Sequence, residues 1–100
     1  MVRLRYLGHA AFELKGEGMT ILVDPFLSGN PSAAAAPGDF KAVDFIFVTH
    51  GHGDHLGDTV EIASRTGATV AANFELCHYL GGKGLKCHPM HIGGAFTFPF

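Results

Sequence analysis

The sequence predicts an α/β domain in which a mixed sheet carries helices on one face, and three observations predict it. Two strand-like runs around a glycine open the chain as a meander. Residues 43–49 are apolar apart from Asp44 until Thr49, as expected of a strand buried on both sides. Beyond them, helical and strand-like segments alternate.

In chain order, residues 2–7 and 10–15 are the first two strands, arranged around Gly8-His9. The turn Gly16-Glu17-Gly18 leads to a third run, Thr20 to Val23, which Asp24 closes directly before Pro25. Residues 28–39 are rich in Gly, Pro, Asn and Ala, with four consecutive alanines between prolines, and read as a loop with room for one helical turn. This loop leaves the strand ending at Asp24 and returns to the strand at 43–49, so it either overhangs their ends as a rim or serves as a tolerant connector. Residues 56–66 read as a helix, with Val60, Ile62 and Ala63 facing the sheet and Asp58, Glu61 and Arg65 facing water. Asp58 in its first turn suits the positive helix end, and Gly67 stops it. Ala68 to Ala72 is a further strand, after which Asn73 caps a second helix running to about Leu80 and ending in Gly81-Gly82. Leu85 to His88 is a short strand, Met90 to Gly94 a turn, and Ala95 to Phe100 the start of another strand.

One hundred residues make one small domain, and 47% apolar residues with nine Phe supply a core. No apolar run approaches the roughly 20 residues of a membrane span, and Met1 to Tyr6 alternates like a strand rather than a signal peptide, so a cytoplasmic location is expected. Cys77 and Cys87 are too few for a disulfide framework and read as small buried hydrophobes. Net charge is −2, and the seven Lys and Arg are scattered singly, which is poor equipment for gripping a nucleic-acid backbone.

The densest chemistry follows the apolar run: His50, His52, Asp54 and His55 come within six residues, with Gly51 and Gly53 between them. Residues i and i+2 of an extended segment lie on the same side, so His50 and His52 can face one ion, while the step to Asp54 and His55 turns the chain toward a second. The glycines put no side chain in the way and allow backbone angles other residues resist. At this chain's own His and Asp frequencies, a chance His-x-His-x-Asp-His is on the order of a one-in-a-thousand event. Imidazole nitrogen with carboxylate oxygen suits zinc, iron or manganese, and the lack of a nearby thiolate argues against a closed structural zinc site. His78 reads as a surface or half-buried residue within the second helix, and His88 and His91 flank a Pro-containing turn with no partner carboxylate in sequence, so they stay outside the metal set.

Thr49 to His55 resembles the signature of the metallo-β-lactamase superfamily. Tyr-Leu-Gly-His-Ala-Ala-Phe (6–12), Ile-Leu-Val-Asp-Pro-Phe-Leu (21–27), Gly-Asn-Pro (29–31) and Met-His-Ile-Gly-Gly (90–94) resemble a family of bacterial and archaeal metal-dependent hydrolases within it, similar to the ascorbate-phosphate lactonases and the phosphodiesterase-like branches. The resemblance runs along nearly the whole chain; it is specific for the superfamily and not for a substrate. It implies that residues 1–100 are the N-terminal half of an αββα sandwich. It also implies two divalent ions, zinc or alternatively manganese or iron, and a shared hydroxide that attacks a small ester, lactone or phosphodiester. His50, His52, Asp54 and His55 are the expected ligands, with Asp54 also the candidate catalytic residue that orients the hydroxide. Asp24 is expected to accept from the other ring nitrogen of a ligand His, its alternative being a strand-end turn residue. His9 is expected on the substrate side, its alternative being an ordinary half-buried His.

In the superfamily pattern, a further His, a bridging Asp and a last His follow the stretch matched here. Each ion would hold only two ligands from this chain, so the 100-residue portion alone is expected to be inactive, its site completed by a C-terminal half or another chain. The sheet face and edge that would meet that half invite pairing with another copy. Two other readings stand beside the hydrolase: a non-catalytic metal-binding or assembly module, and a nuclease-like phosphodiesterase, against which the weak basic character argues.

Overall fold

Alternating side chains carry the amino-terminal strands into a meander. In the computed structural model, which describes residues 1–91 and 93–98, β1 (Arg3–Gly8) pairs antiparallel with β2 (Ala11–Gly16), and β2 with β3 (Met19–Val23). Glu17 and Gly18, between β2 and β3, both take positive φ (52° and 74°), the mirror-image turn whose twist matches a hairpin. The pairing then changes from antiparallel to parallel: β4 (Phe45–Phe47), β5 (Thr69–Asn73) and β6 (Lys86–Met90) add in parallel, giving one six-stranded sheet in the order β1-β2-β3-β4-β5-β6. Parallel neighbours need connections that leave the sheet, and these are the loop 24–44, the helices α1 (Gly53–Leu56) and α2 (Thr59–Thr66), and α3 (Phe74–Gly81). The expected fold class, a mixed sheet with helices on one face, is the observed one.

Register shows which face the helices cover. Leu22, Ile46 and Val70 are aligned neighbours across β3, β4 and β5, and they share a buried cluster with Ile62 and Ala63 of α2 and Cys77 and Leu80 of α3. Burying each such side chain contributes about 1.5–3 kcal/mol. The residues between them point the other way in two apolar rows: Leu4, Leu14, Ile21, Phe45, and Tyr6, Phe12, Val23, Phe47. Leu4 and Tyr6 are exposed and Phe45 and Phe47 only half-buried, so β4 is not buried on both sides as its composition suggests. Phe98 lies against the last two, with ring centroids 5.3 Å from Phe45 and 5.7 Å from Phe47.

Several expected elements differ in extent: the strand at 43–49 is confined to Phe45–Phe47, and the one at 85–88 runs on to Met90, into the expected turn. The single helix of 56–66 is two, because Gly57 breaks it at φ 50°, where a side chain would meet the Phe26 backbone at 2.5 Å. Asp58 caps α2 by position yet makes no side-chain bond to it. Its carboxylate instead accepts from the Leu27 and Ser28 amides, at 2.9 and 2.8 Å, and fastens the loop to the helix. Residues 95–98 form no strand, and Pro99 and Phe100, the end of that expected strand, lie outside the described residues, as does Ile92 of the expected turn. The loop 28–39 does contain one helical turn, Pro37–Asp39. The Asn73 cap is present, its side chain accepting from Leu76 N at 2.8 Å. No helix among the described residues is long and apolar enough to cross a membrane.

Candidate metal centre

The site is assembled where β3 and β4 end side by side. Asp24 follows β3 directly, in the left-handed region (φ 44°) that Asp tolerates better than most residues, and its N–H donates to Phe47 O at 2.9 Å. This places a buried carboxylate beneath the turn that leaves β4. Asp24 Oδ1 accepts from Thr49 N at 2.7 Å; Oδ2 accepts from Thr49 Oγ1 at 2.6 Å and from His55 Nδ1 at 2.9 Å. Among the described residues, no buried side-chain nitrogen or oxygen is left unpaired.

Donor and acceptor logic then fixes the proton on two rings. A carboxylate accepts, so the His55 Nδ1–H donates to it, and in the neutral ring this leaves the lone pair on Nε2. The Thr49 hydroxyl spends its proton on Asp24, so its contact with His50 Nδ1, at 2.8 Å, has the ring N–H donating to Oγ1. In the neutral His50 ring the lone pair is then on Nε2 as well. One buried carboxylate thus sets the tautomer of His55 directly and of His50 through Thr49, which is how imidazoles are prepared to hold a metal ion. The sequence places Thr49 at the head of the motif but gives it no role; its signal is only its place between the strand and His50.

The rings stand together. His50 lies 4.0 Å from His55 and 4.8 Å from His52 by ring centroid, while His52 is exposed at the N-terminal end of α1. Asp54, in the first turn of that short helix, reaches His55 Nε2 with Oδ1 at 3.8 Å. That is too long for a hydrogen bond and close to the roughly 3.5 Å that separates two ligands of one tetrahedral ion. The donor set therefore fits a divalent metal. Desolvation pushes the Asp54 carboxyl up, but the bond from its own backbone N–H, with His55 and His9, outweighs this and holds it below the usual range. His9 comes from the β1–β2 turn, its Nε2 3.1 Å from Asp54 Oδ2, and His9, Asp54 and His55 form a group whose candidate ligand atoms all lie within 4.8 Å of one another. Neither Gly51 nor Gly53 takes positive φ, and a Cβ would have room at both, so their backbone freedom is not used; they keep the turn uncovered.

Beside the turn, at the carboxyl ends of the parallel strands, a groove of about 310 Å³ is lined by Phe47, Thr49, Ala72, Met90, His91 and Phe98. Binding clefts in parallel sheets open at this end. Of the other candidates, His78 is exposed and the His88 ring packs on Phe96 at 4.3 Å. Cys77 is buried, and burial, with Cys77 adding to it, pushes the Cys87 thiol up to about 12, far from a reactive thiolate. Arg3, Arg5, Lys15 and Lys41 gather around an 860 Å³ groove at the opposite end of β1 from His9, so cations scattered in sequence converge away from the His turn.

Comparison with known proteins identifies the family and the fold. The family profile described as Metallo-beta-lactamase superfamily matches residues 5–99. A UPF0173 metal-dependent hydrolase of Carboxydothermus hydrogenoformans is 56% identical over 97 residues, covering 97% of this chain and 42% of the relative. Another, from Bacillus cytotoxicus, is 52% identical over 99 residues, covering 99% of this chain and 43% of its own length. The chain thus spans less than half the length of these relatives. Among solved structures, a metallo hydrolase from the archaeon Ignicoccus hospitalis superposes with a TM-score of 0.84 at 36% identity, covering 93% of this chain and 41% of the other.

Proposed function

The chain belongs to the metallo-beta-lactamase superfamily, and on that footing we propose that it is the N-terminal half of a metal-dependent hydrolase acting on a small ester, lactone or phosphodiester. The observation that carries this reading is the pair of imidazoles, His50 and His55, both oriented by a single buried carboxylate, His55 directly and His50 through Thr49. In this reading His50 and His52 hold one divalent ion, and Asp54 and His55 a second, zinc being the metal the donor set suits best, with manganese or iron as alternatives. When bound, such ions lower the pKa of a water and polarise a carbonyl or phosphoryl oxygen. Asp54 orients the attacking water, Asp24 and Thr49 keep the rings in the required tautomer, and the groove beside Thr49 takes the organic part of the substrate.

The remaining ligands come from outside this chain, in keeping with relatives of more than twice its length. The same half would cover the two apolar rows on the sheet face away from the helices. The nuclease alternative gains nothing from the cationic groove, which lies at the far end of β1 from the His turn. In the full-length protein, Asp54→Ala or His52→Ala should lower hydrolysis of a lactone and phosphodiester panel by at least about 1,000-fold, with unchanged circular dichroism. Wild-type rates in either variant would reject the assignment.

A further inference from the structure

His9 is an exposed residue on a turn, yet every part of it is held. Its backbone sits in the left-handed region at φ 56°, and its carbonyl accepts from Tyr6 Oη at 2.6 Å. The ring meets Phe26 edge-on at 6.0 Å and His55 at 5.2 Å. The turn that carries it is anchored independently of the His motif. Gly8 lies so close to the loop that a Cβ there would meet Ser32 O at 2.6 Å, and Ala34 N donates to Leu7 O at 3.1 Å. A side chain fixed this thoroughly presents Nε2 to one atom, Asp54 Oδ2, across 45 residues of sequence.

Resting on the metal-site reading above, we propose that His9 is a positioning residue for Asp54: its Nε2–H holds Oδ2 and thereby assigns Oδ1 to the metal beside His55 Nε2. The carboxylate can only accept, so the ring must donate, and a ring nitrogen that carries a proton toward Asp54 is not offering a lone pair to an ion. Asp54 stands half-exposed at the start of a four-residue helix, where its carboxylate could otherwise rotate and be hydrated on both oxygens. His9 removes that freedom before any ion arrives. This replaces the substrate side as the place to look for its role.

The test is a zinc titration of the full-length protein against a chromophoric chelator, with thermal unfolding in EDTA as the measure of fold. Loss of an orienting partner typically weakens metal affinity 10- to 100-fold. His9→Ala should therefore weaken one of two zinc ions by that factor and leave the other, and the metal-free melting temperature, unchanged. His9→Gln, whose side-chain amide nitrogen reaches about where Nε2 does and can donate, should stay within a few-fold of wild type. Unchanged affinity in His9→Ala would overturn the proposal, as would a Gln variant as impaired as Ala, which would make His9 itself a ligand. Wild-type protein that takes up no zinc would overturn the underlying metal reading, and this proposal with it; that failure is distinct because it appears before any variant is made.

Discussion

Thr49 does the least conspicuous work in the site and is the easiest to remove cleanly. Valine has nearly its shape but no hydroxyl, so Thr49→Val leaves the His50 Nδ1–H without its acceptor and Asp24 Oδ2 without one of its two donors. The account predicts zinc affinity 10- to 100-fold weaker in Thr49→Val and within a few-fold of wild type in Thr49→Ser, read by chelator competition on the full-length protein. Equal affinity in Val and wild type would mean that the relay through Thr49 has no function. At this scale the sequence was informative where ligand types are packed into a few adjacent positions, as in His50 to His55. It was silent where a role depends on which proton sits on which nitrogen. Asp24 could be suspected because a carboxylate closes a strand before a proline, but its bonds to Thr49 and His55 bridge 25 and 31 residues. The His9–Asp54 contact is likewise a product of strand pairing that no local pattern encodes.

Between residue and fold, the short break between α1 and α2 decides how the His turn is presented. Gly57 takes φ 50° and lies against Pro25 and Phe26, so the chain can pass directly under the loop that follows Asp24; Asp58 then locks that loop by accepting from Leu27 and Ser28. Gly57→Ala adds both a left-handed alanine and a clash with backbone that cannot swing aside. Denaturant unfolding should show a loss of about 2 kcal/mol or more, and an unchanged midpoint and slope would contradict the packing described. The helical periodicity of 56–66 was real, since Ile62 and Ala63 are buried as their spacing requires. What periodicity could not show is that Asp58 would find better donors across the loop than at the helix end. The Asn73 cap and the Gly67 stop were legible because both are satisfied by atoms within a few residues. For β4, composition suggested burial on two faces, whereas the described residues provide helices for only one.

Across the described residues, one face of the sheet packs on helices while the other carries two apolar rows that span four strands, with Leu4 and Tyr6 at their exposed end. A six-stranded sheet of this kind, in a chain covering 42–43% of the length of these relatives, is in keeping with the proposal that it forms one layer pair of an αββα sandwich. The sequence made this layer predictable through its alternation of strand and helix signals; in the proposed reading the covering partner and the remaining ligands come from outside it. The most direct test of the central claim is metal content measured side by side on the full-length protein and on the 100-residue chain, after incubation with zinc and removal of excess. The account predicts close to two zinc ions per full-length protein and weak, substoichiometric zinc in the chain alone. Full-length protein that retains no zinc or manganese would contradict it, and would mean that the paired imidazoles of His50 and His55 are a relic of the fold rather than a working site.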